Sequence, residues 1–184
     1  MRFIFPLLIF LTISLSSFEL ILNLFHSPFG QEVVNPQAHN LTWLYLLKQK
    51  YITLIELDIF TIHEKRHLLD VKRLFEQIYS LWYISIPISI LIVIFAHFRG
   101  WIEKLFRYTL YIGVVINSIL LLSSLLFLDS FILLHKLLFP KNSWIFPPDS
   151  TLIEWFPLEY FIEFSIIYIL ISSTAIYLLT LLKN

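Results

Sequence analysis

Four long apolar blocks constrain the fold of this chain more than any other feature. They lie at residues 3–25, 78–98, 108–128 and 161–182. A helix that crosses the hydrocarbon of a bilayer needs about 20 mostly apolar residues, and each block meets that length. Charged residues make up only 14% of the chain, well below the roughly 25% of ordinary soluble domains. We therefore predict an all-α integral membrane protein with four transmembrane helices.

The distribution of basic residues predicts which way these helices run. Arg99, Lys104 and Arg107 are concentrated in the short connector between the second and third blocks. Because short loops rich in Lys and Arg tend to stay in the cytoplasm, we place this connector and both termini on the cytoplasmic side. Residues 26–77 and 129–160 then lie outside, where we expect them to form a small extracytoplasmic cap.

The first block also has features of a signal peptide, with Arg2, an apolar run and a patch of small residues at 14–17. The apolar run, however, continues through residues 18–25, past any cleavage site in that patch. We expect a retained membrane anchor.

The composition excludes several kinds of site. The chain has no cysteine, so disulfides, thiol catalysis, cysteine zinc sites and iron–sulfur clusters are excluded. Its 13 basic residues balance its 13 acidic ones, which argues against a nucleic-acid partner. The chemistry of the protein must therefore come from histidine, carboxylate, amide and hydroxyl groups.

A helix that carries two histidines is predicted just before the second block. Residues 52–60 alternate in the manner of a strand, and Thr61 followed by Glu64 is then a capping box, which starts a helix. At helical spacing, Glu64 and His67 fall on the apolar face of this helix. Titratable groups on such a face need partners, so they form a candidate site. A satisfied interface histidine beside a simple helix cap is the alternative.

The same helix contains a zinc-protease pattern. His63, Glu64 and His67 form HExxH, in which two histidines bind zinc and the glutamate acts as a base. Such a site would need a third protein ligand, which His135, Asp70 or an acid of the last outer loop would have to supply. A membrane zinc protease is therefore a competing hypothesis.

The second outer segment carries the remaining candidate chemistry. We expect residues 131–139 to continue the third helix beyond the membrane, with His135 above the bilayer and Pro140 ending the helix. The loop that follows offers five further polar or aromatic side chains: Asn142, Trp144, Asp149, Glu154 and Glu159.

Two separated stretches resemble the lipoprotein intramolecular transacylase (Lit) family of Gram-positive bacteria. The first is FTIHEKRHLLDVKRLF at residues 60–75, which is similar to the family's pattern of glutamate, two variable positions, histidine and a DVK box. The second runs from His135 through Asn142, Trp144, Pro148 and Asp149 to Phe156 and Pro157. His63 lies outside this pattern, so its HExxH match would be coincidental.

The resemblance implies a reaction at the extracytoplasmic face of the cell membrane. One acyl chain of a diacylated lipoprotein would move from the glycerol sn-2 ester to the amino group of the N-terminal cysteine, which gives the lyso form. Because donor and acceptor belong to one molecule, no cofactor is required. The expected partners are diacylated bacterial lipoproteins and membrane lipid, and no metal is implied.

The resemblance also implies roles for individual side chains. We predict that His67 and His135 converge as a catalytic pair, since the pKa of histidine lies near neutral pH. One would act as general base on the amine, and the other would protonate the leaving oxygen or stabilise the oxyanion; the sequence does not assign the two roles. Glu64 or Asp70 would orient His67 through a hydrogen bond. Four more residues are candidates for oxyanion stabilisation or substrate binding: Lys72, Asn142, Trp144 and Asp149.

Three classes of function remain after the sequence alone: a transacylase, a zinc protease and a non-enzymatic membrane scaffold. A transacylase predicts severe loss of activity in His67→Ala and His135→Ala but indifference to chelators and to His63→Ala. A protease predicts tightly bound zinc and loss of function in His63→Ala. A scaffold predicts that none of the three substitutions matters while the fold survives.

Overall fold

The computed structural model describes residues 3–47 and 58–182. Within them lie seven α-helices: α1 (Ile4–Leu24), α2 (Pro36–Leu46), α3 (Ile62–Phe98), α4 (Ile102–Leu125), α5 (Phe127–Leu138), α6 (Thr151–Trp155) and α7 (Leu158–Leu181). The described residues contain no strand. The strand predicted for residues 52–60 falls mostly outside them, and its last residues, 58–60, form a turn and a bend.

Four helical stretches of the described chain are long and apolar enough to cross a membrane. They are Ile4–Leu24, Ile62–Phe98, Ile102–Leu125 and Thr151–Leu181. The last of them is interrupted between α6 and α7 by Pro157, which cannot donate a backbone hydrogen bond. The predicted fold class, an all-α membrane protein with four long apolar helices, is confirmed. The cap and the exact span limits remain predictions.

The third apolar block was predicted to continue as one helix from the membrane to His135, but the structure has two helices here. Helix α4 ends at Leu125, Leu126 has non-helical backbone angles (φ −110°, ψ 47°), and α5 begins at Phe127. The Ser124 hydroxyl donates to the carbonyl of Leu120 just before the break, a side-chain bond that weakens the helical ladder. Asp129 lies in the first turn of α5, where a negative charge favours a new helix start.

The described chain divides into two compact units. The first comprises the described residues of Met1–Leu24, Ile78–Leu126 and Phe164–Asn184. Its hydrophobic core joins α1, α3 and α4 through five buried residues: Ile9, Ile92, Ala96, Leu105 and Phe106. Hydrogen bonds between polar side chains supplement this packing, as in other membrane helix bundles. The hydroxyls of Thr12 and Ser89 lie 2.7 Å apart, and the Asn117 amide donates to Ser173 at 2.8 Å.

Gly113 permits a close contact between α4 and α7, and enlarging it is expected to destabilise the protein. A Cβ atom at this position would lie 2.6 Å from Cδ1 of Ile176 and 3.4 Å from the ring of Phe10. Overpacking of this kind costs about 1–3 kcal/mol, so we expect Gly113→Leu to lower the thermal unfolding temperature in detergent. Val114→Leu, on the exposed face of the same helix, is the matched control. Equal unfolding temperatures for the two variants would contradict the prediction.

The second unit comprises the described residues of Phe25–Gln77 and Phe127–Glu163. Its core is aromatic and centres on Trp43, which is 3% exposed. The Trp43 indole donates to the carbonyl of His26 at 3.1 Å and contacts Nε2 of His39 at 3.3 Å. The His39 ring in turn packs edge-on against Trp155 of α6. These contacts hold α2 against α6.

Candidate active site

The start of α3 is fixed by the capping box that the sequence predicts. The Thr61 backbone N–H and hydroxyl both donate to the Glu64 carboxylate at 2.8 Å, and the Glu64 N–H contacts the Thr61 hydroxyl at 3.3 Å. This reciprocal pattern satisfies backbone donors that a helix start leaves free. It also places His67, one turn further along α3, at only 9% exposure.

Helix α5 supplies the second histidine. His135 is the one buried residue of this helix, and its Nδ1 lies 2.9 Å from the carbonyl oxygen of Phe131. Because a carbonyl can only accept, Nδ1 carries the proton. The lone pair of Nε2 is therefore available as a proton acceptor, and the Phe131 ring, 3.9 Å from that of His135, holds the imidazole in place.

The two histidine rings face each other inside an aromatic enclosure. Their centroids lie 6.3 Å apart with the planes inclined by 30°. Phe139 contacts both rings, at 4.8 Å from His67 and 5.3 Å from His135. Phe146 packs against His67 at 5.4 Å, and Trp144 packs against His135 at 5.1 Å. The structure thus brings the two predicted histidines together in a largely apolar pocket.

Burial in this pocket changes the proton affinity of both rings. Desolvation lowers the pKa of His67 to about 4, and the neighbouring His135 and His63 act in the same direction. Desolvation also lowers the pKa of His135, although its hydrogen bond to Phe131 opposes the shift. Both imidazoles are therefore neutral at neutral pH, which suits a proton acceptor and a neutral hydrogen-bond donor.

The low pKa of His67 predicts a loss of stability in mild acid. In the unfolded chain His67 takes up a proton near pH 6.5, whereas in the folded protein it does so only near pH 4. Between these two pH values the unfolded state binds more protons than the folded state. The free energy of unfolding therefore decreases by on the order of 3 kcal/mol as the pH is lowered through this range.

Thermal unfolding in detergent between about pH 4 and 7 measures this dependence. The glutamine of His67→Gln cannot titrate in this pH range, so the stability of this variant should depend less steeply on pH. The carboxylates contribute equally to both proteins. Identical slopes would contradict the assignment.

Neither carboxylate predicted to orient His67 contacts it. Both oxygens of Glu64 are engaged, with Thr61 and with the backbone N–H of Leu152, and Asp70 pairs with Arg73 at 3.8 Å. Nδ1 of His67 is buried and has no hydrogen-bond partner among the described residues. Packing against aromatic rings, rather than a carboxylate, therefore orients His67.

The other predicted supporting residues have different surroundings. Lys72 lies over the ring of Tyr45, with Nζ 3.9 Å from the ring centroid. This cation–π contact stabilises the ammonium group in that position. Asn142 is exposed and has a positive φ of 65°, so it shapes a turn. Asp149 is also exposed. Of this group, only Trp144 contacts a ring of the histidine pair.

The HExxH residues do not form a metal centre in the described part of the chain. No group of three or more His, Asp or Glu side chains there is placed to hold an ion. His63 is exposed and its Nε2 contacts the carbonyl of Ile145 at 3.3 Å. The Glu64 carboxylate is engaged in backbone hydrogen bonds. Within residues 3–47 and 58–182, the geometry thus provides neither the third ligand nor the free base that a zinc protease requires.

Two wall residues of the pocket, Phe139 and Phe146, were not predicted. Each directly precedes a proline, Pro140 and Pro147, and a residue before proline is restricted to extended conformations. This stiffness fixes the direction of a side chain. A phenylalanine before proline in the segment that directly follows His135 was therefore the available signal.

Comparisons with known proteins agree with this architecture. The family model of the lipoprotein intramolecular transacylase Lit matches residues 31–161, well over half of the chain. An in meso structure of the membrane-integral Lit from Bacillus cereus has a TM-score of 0.78 at 21% identity, covering 99% of this chain and 94% of that one. A histidine-to-arginine variant of that protein has a TM-score of 0.72 at 20% identity, covering 99% and 90%. A comparison with curated proteins finds no match.

The structural likeness shows a shared fold, and the family match covers both segments that bear the histidine pair. The helices identify a multi-pass membrane protein. The chain therefore belongs to the lipoprotein intramolecular transacylase family, Lit.

Proposed function

We propose that this protein is a lipoprotein intramolecular transacylase that moves the sn-2 acyl chain of a diacylglyceryl lipoprotein to the amino group of its N-terminal cysteine. The family match supports the reaction class. The observation that carries the proposal is the His67–His135 pair, with ring centroids 6.3 Å apart. Two neutral imidazoles in one enclosure supply a proton acceptor and a hydrogen-bond donor, the two functions that acyl transfer to an amine needs.

His135 acts as the general base. Its Nδ1–H is held by the Phe131 carbonyl, so Nε2 accepts a proton from the attacking amine. The amine nitrogen bonds to the ester carbonyl carbon, the bond from that carbon to the glyceryl oxygen breaks, and His135 returns the proton to the departing oxygen. The proton thus passes from nitrogen to oxygen with no external acid, base or acyl carrier.

His67 stabilises the oxyanion that forms on the ester carbonyl. With a pKa of about 4, it is rarely protonated at neutral pH and is better suited to donate an N–H hydrogen bond than to transfer a proton. Its buried Nδ1 has no partner among the described residues. As substrate binds, the aromatic side chains would move apart and admit the ester carbonyl oxygen. That oxygen would then accept a hydrogen bond from a ring N–H of His67.

The apolar walls support the reaction in a second way. Phe139 and Phe146 exclude water from the rings, and a water-free site strengthens each hydrogen bond to the oxyanion. Donor and acceptor belong to one substrate molecule, so correct positioning supplies several kcal/mol of the barrier. We propose Trp144 as a further hydrogen-bond donor, since it is half-buried beside His135.

The orientation follows from the charge distribution. We place both termini in the cytoplasm and the histidine pair at the extracytoplasmic face, where lipoproteins carry their lipid-modified cysteine. The three basic residues between α3 and α4, Arg99, Lys104 and Arg107, support this assignment.

Tandem mass spectrometry of N-terminal lipopeptides tests the function. A host that makes diacylated lipoproteins is compared with and without this protein, and fragments are examined because acyl transfer conserves the total mass. We expect an acyl group on the cysteine nitrogen and a single acyl group on the glyceryl. An unchanged lipopeptide in cells that contain well-folded protein would contradict the proposal.

A further inference from the structure

One buried carboxylate joins the starts of two helices. Glu64 is only 2% exposed. One of its oxygens accepts from the backbone N–H and the hydroxyl of Thr61, which caps α3. The other accepts from the backbone N–H of Leu152, in the first turn of α6, at 3.1 Å. The side chain therefore connects two segments that are 88 residues apart in sequence.

Helix α6 depends on this external acceptor. It has five residues, far fewer than an isolated helix needs for stability. The Ser150 side chain accepts from Ile153 N–H, so Glu64 supplies the acceptor for the neighbouring N–H of Leu152. Both Leu152 and Trp155 are buried. The position of α6 is thus set by the carboxylate at one end and by aromatic packing at the other.

The same bond fixes the loop that encloses the histidine pair. Residues 139–150 lead directly into α6, and they carry Phe139 and Phe146, which contact His67. Glu64 precedes His67 by three residues, so both side chains come from adjacent turns of one helix. The Glu64 carboxylate on α3 therefore determines where the 139–150 loop ends relative to the His67 ring, which the loop covers.

We propose that Glu64 is a positioning residue that holds the 139–150 loop over His67 and His135 through its hydrogen bond to Leu152. The inference rests on the proposed function, because the consequence of a displaced loop is a wetter and misaligned catalytic pair. Glu64 has no contact with the reacting groups in this role. Its effect reaches His67 through the backbone of α6 and the loop.

Glu64→Gln is the decisive variant because it preserves size while removing one acceptor. An amide has a single acceptor oxygen, so it cannot serve Thr61 and Leu152 together. We expect kcat to fall about tenfold or more, since small misplacements of catalytic groups are costly, while KM changes little. We also expect the acidic limb of the pH–rate profile, which reports protonation of the general base His135, to move toward higher pH and the ordinary range of histidine.

The upward shift has a defined origin. The limb reports His135, whose ring faces that of His67, and burial is the largest cause of its lowered pKa, opposed by the hydrogen bond to Phe131. Water that enters under a displaced loop weakens the burial. The substrate amine titrates identically with each variant, so a moved limb reports the enzyme alone.

Thr61→Ala is the matched control. It weakens the cap of α3 but leaves the bond between Glu64 and Leu152, so the acidic limb and kcat should stay at wild-type values even if thermal stability falls. Should Glu64→Gln fold poorly, Glu64→Asp provides the same comparison, because its shorter side chain keeps the charge near Thr61 but cannot also reach Leu152.

The outcomes separate this inference from the proposed function. A wild-type protein without acyl transfer would refute the function itself. An active wild-type protein whose Glu64→Gln variant keeps kcat and the acidic limb would overturn only the positioning role. Equal changes in Thr61→Ala and Glu64→Gln would also overturn it, since Glu64 would then act merely as the cap of α3.

Discussion

Replacing His135 by alanine is expected to abolish nearly all acyl transfer, with a loss of about 10²–10⁴-fold in kcat, the range that general acid–base catalysis contributes. In the proposed mechanism this single ring both receives the amine proton and returns it to the glyceryl oxygen. Its Nδ1–H bond to Phe131 presets the tautomer that leaves Nε2 free. Lipopeptide fragmentation against time, with purified protein in detergent or lipid, measures the rate.

The control for His135→Ala is Lys136→Ala. Lys136 is the next residue of α5 and is exposed, so its loss tests whether a change in this helix alone reduces activity. We expect it to retain wild-type activity. A folded His135→Ala protein with activity within about tenfold of wild type would show that another group takes the proton.

The helices were the most predictable part of this protein, because the thickness of a bilayer sets the length of each apolar block. The start of α3 was equally accessible. A capping box is a local pattern, and the structure places the predicted bonds between Thr61 and Glu64. The break at Leu126 was not predicted, since neither proline nor glycine marks it and only one side-chain hydrogen bond and a nearby charge accompany it.

The candidate site was only partly predictable. The sequence analysis predicted that His67 and His135 form a pair, but the 6.3 Å between their rings depends on how α3 and α5 pack. The role of Glu64 shows the same limit. A helical pattern predicts its cap on α3, whereas its bond to Leu152, 88 residues away, depends on the tertiary fold. The predicted orientation of His67 by a carboxylate followed from proximity along one helix, and the structure gives those oxygens other partners.

The second large effect is expected for His67→Ala. Loss of an oxyanion donor costs about 10²–10³-fold in kcat, and a small residue would also let water into the space between Phe139 and Phe146. His67→Gln keeps an N–H donor and most of the volume. We expect it to recover part of the activity lost in His67→Ala, because a donor rather than a titrating group is required at this position.

The comparison with His135 separates the two roles. Glutamine cannot act as a general base at neutral pH, so His135→Gln should remain as inactive as His135→Ala, whereas His67→Gln should be more active than His67→Ala. The double alanine variant should lose little more than the worse single variant if both rings serve one transition state. Equal rescue by glutamine at both positions would contradict the assignment, since it would mean that neither histidine has to accept a proton.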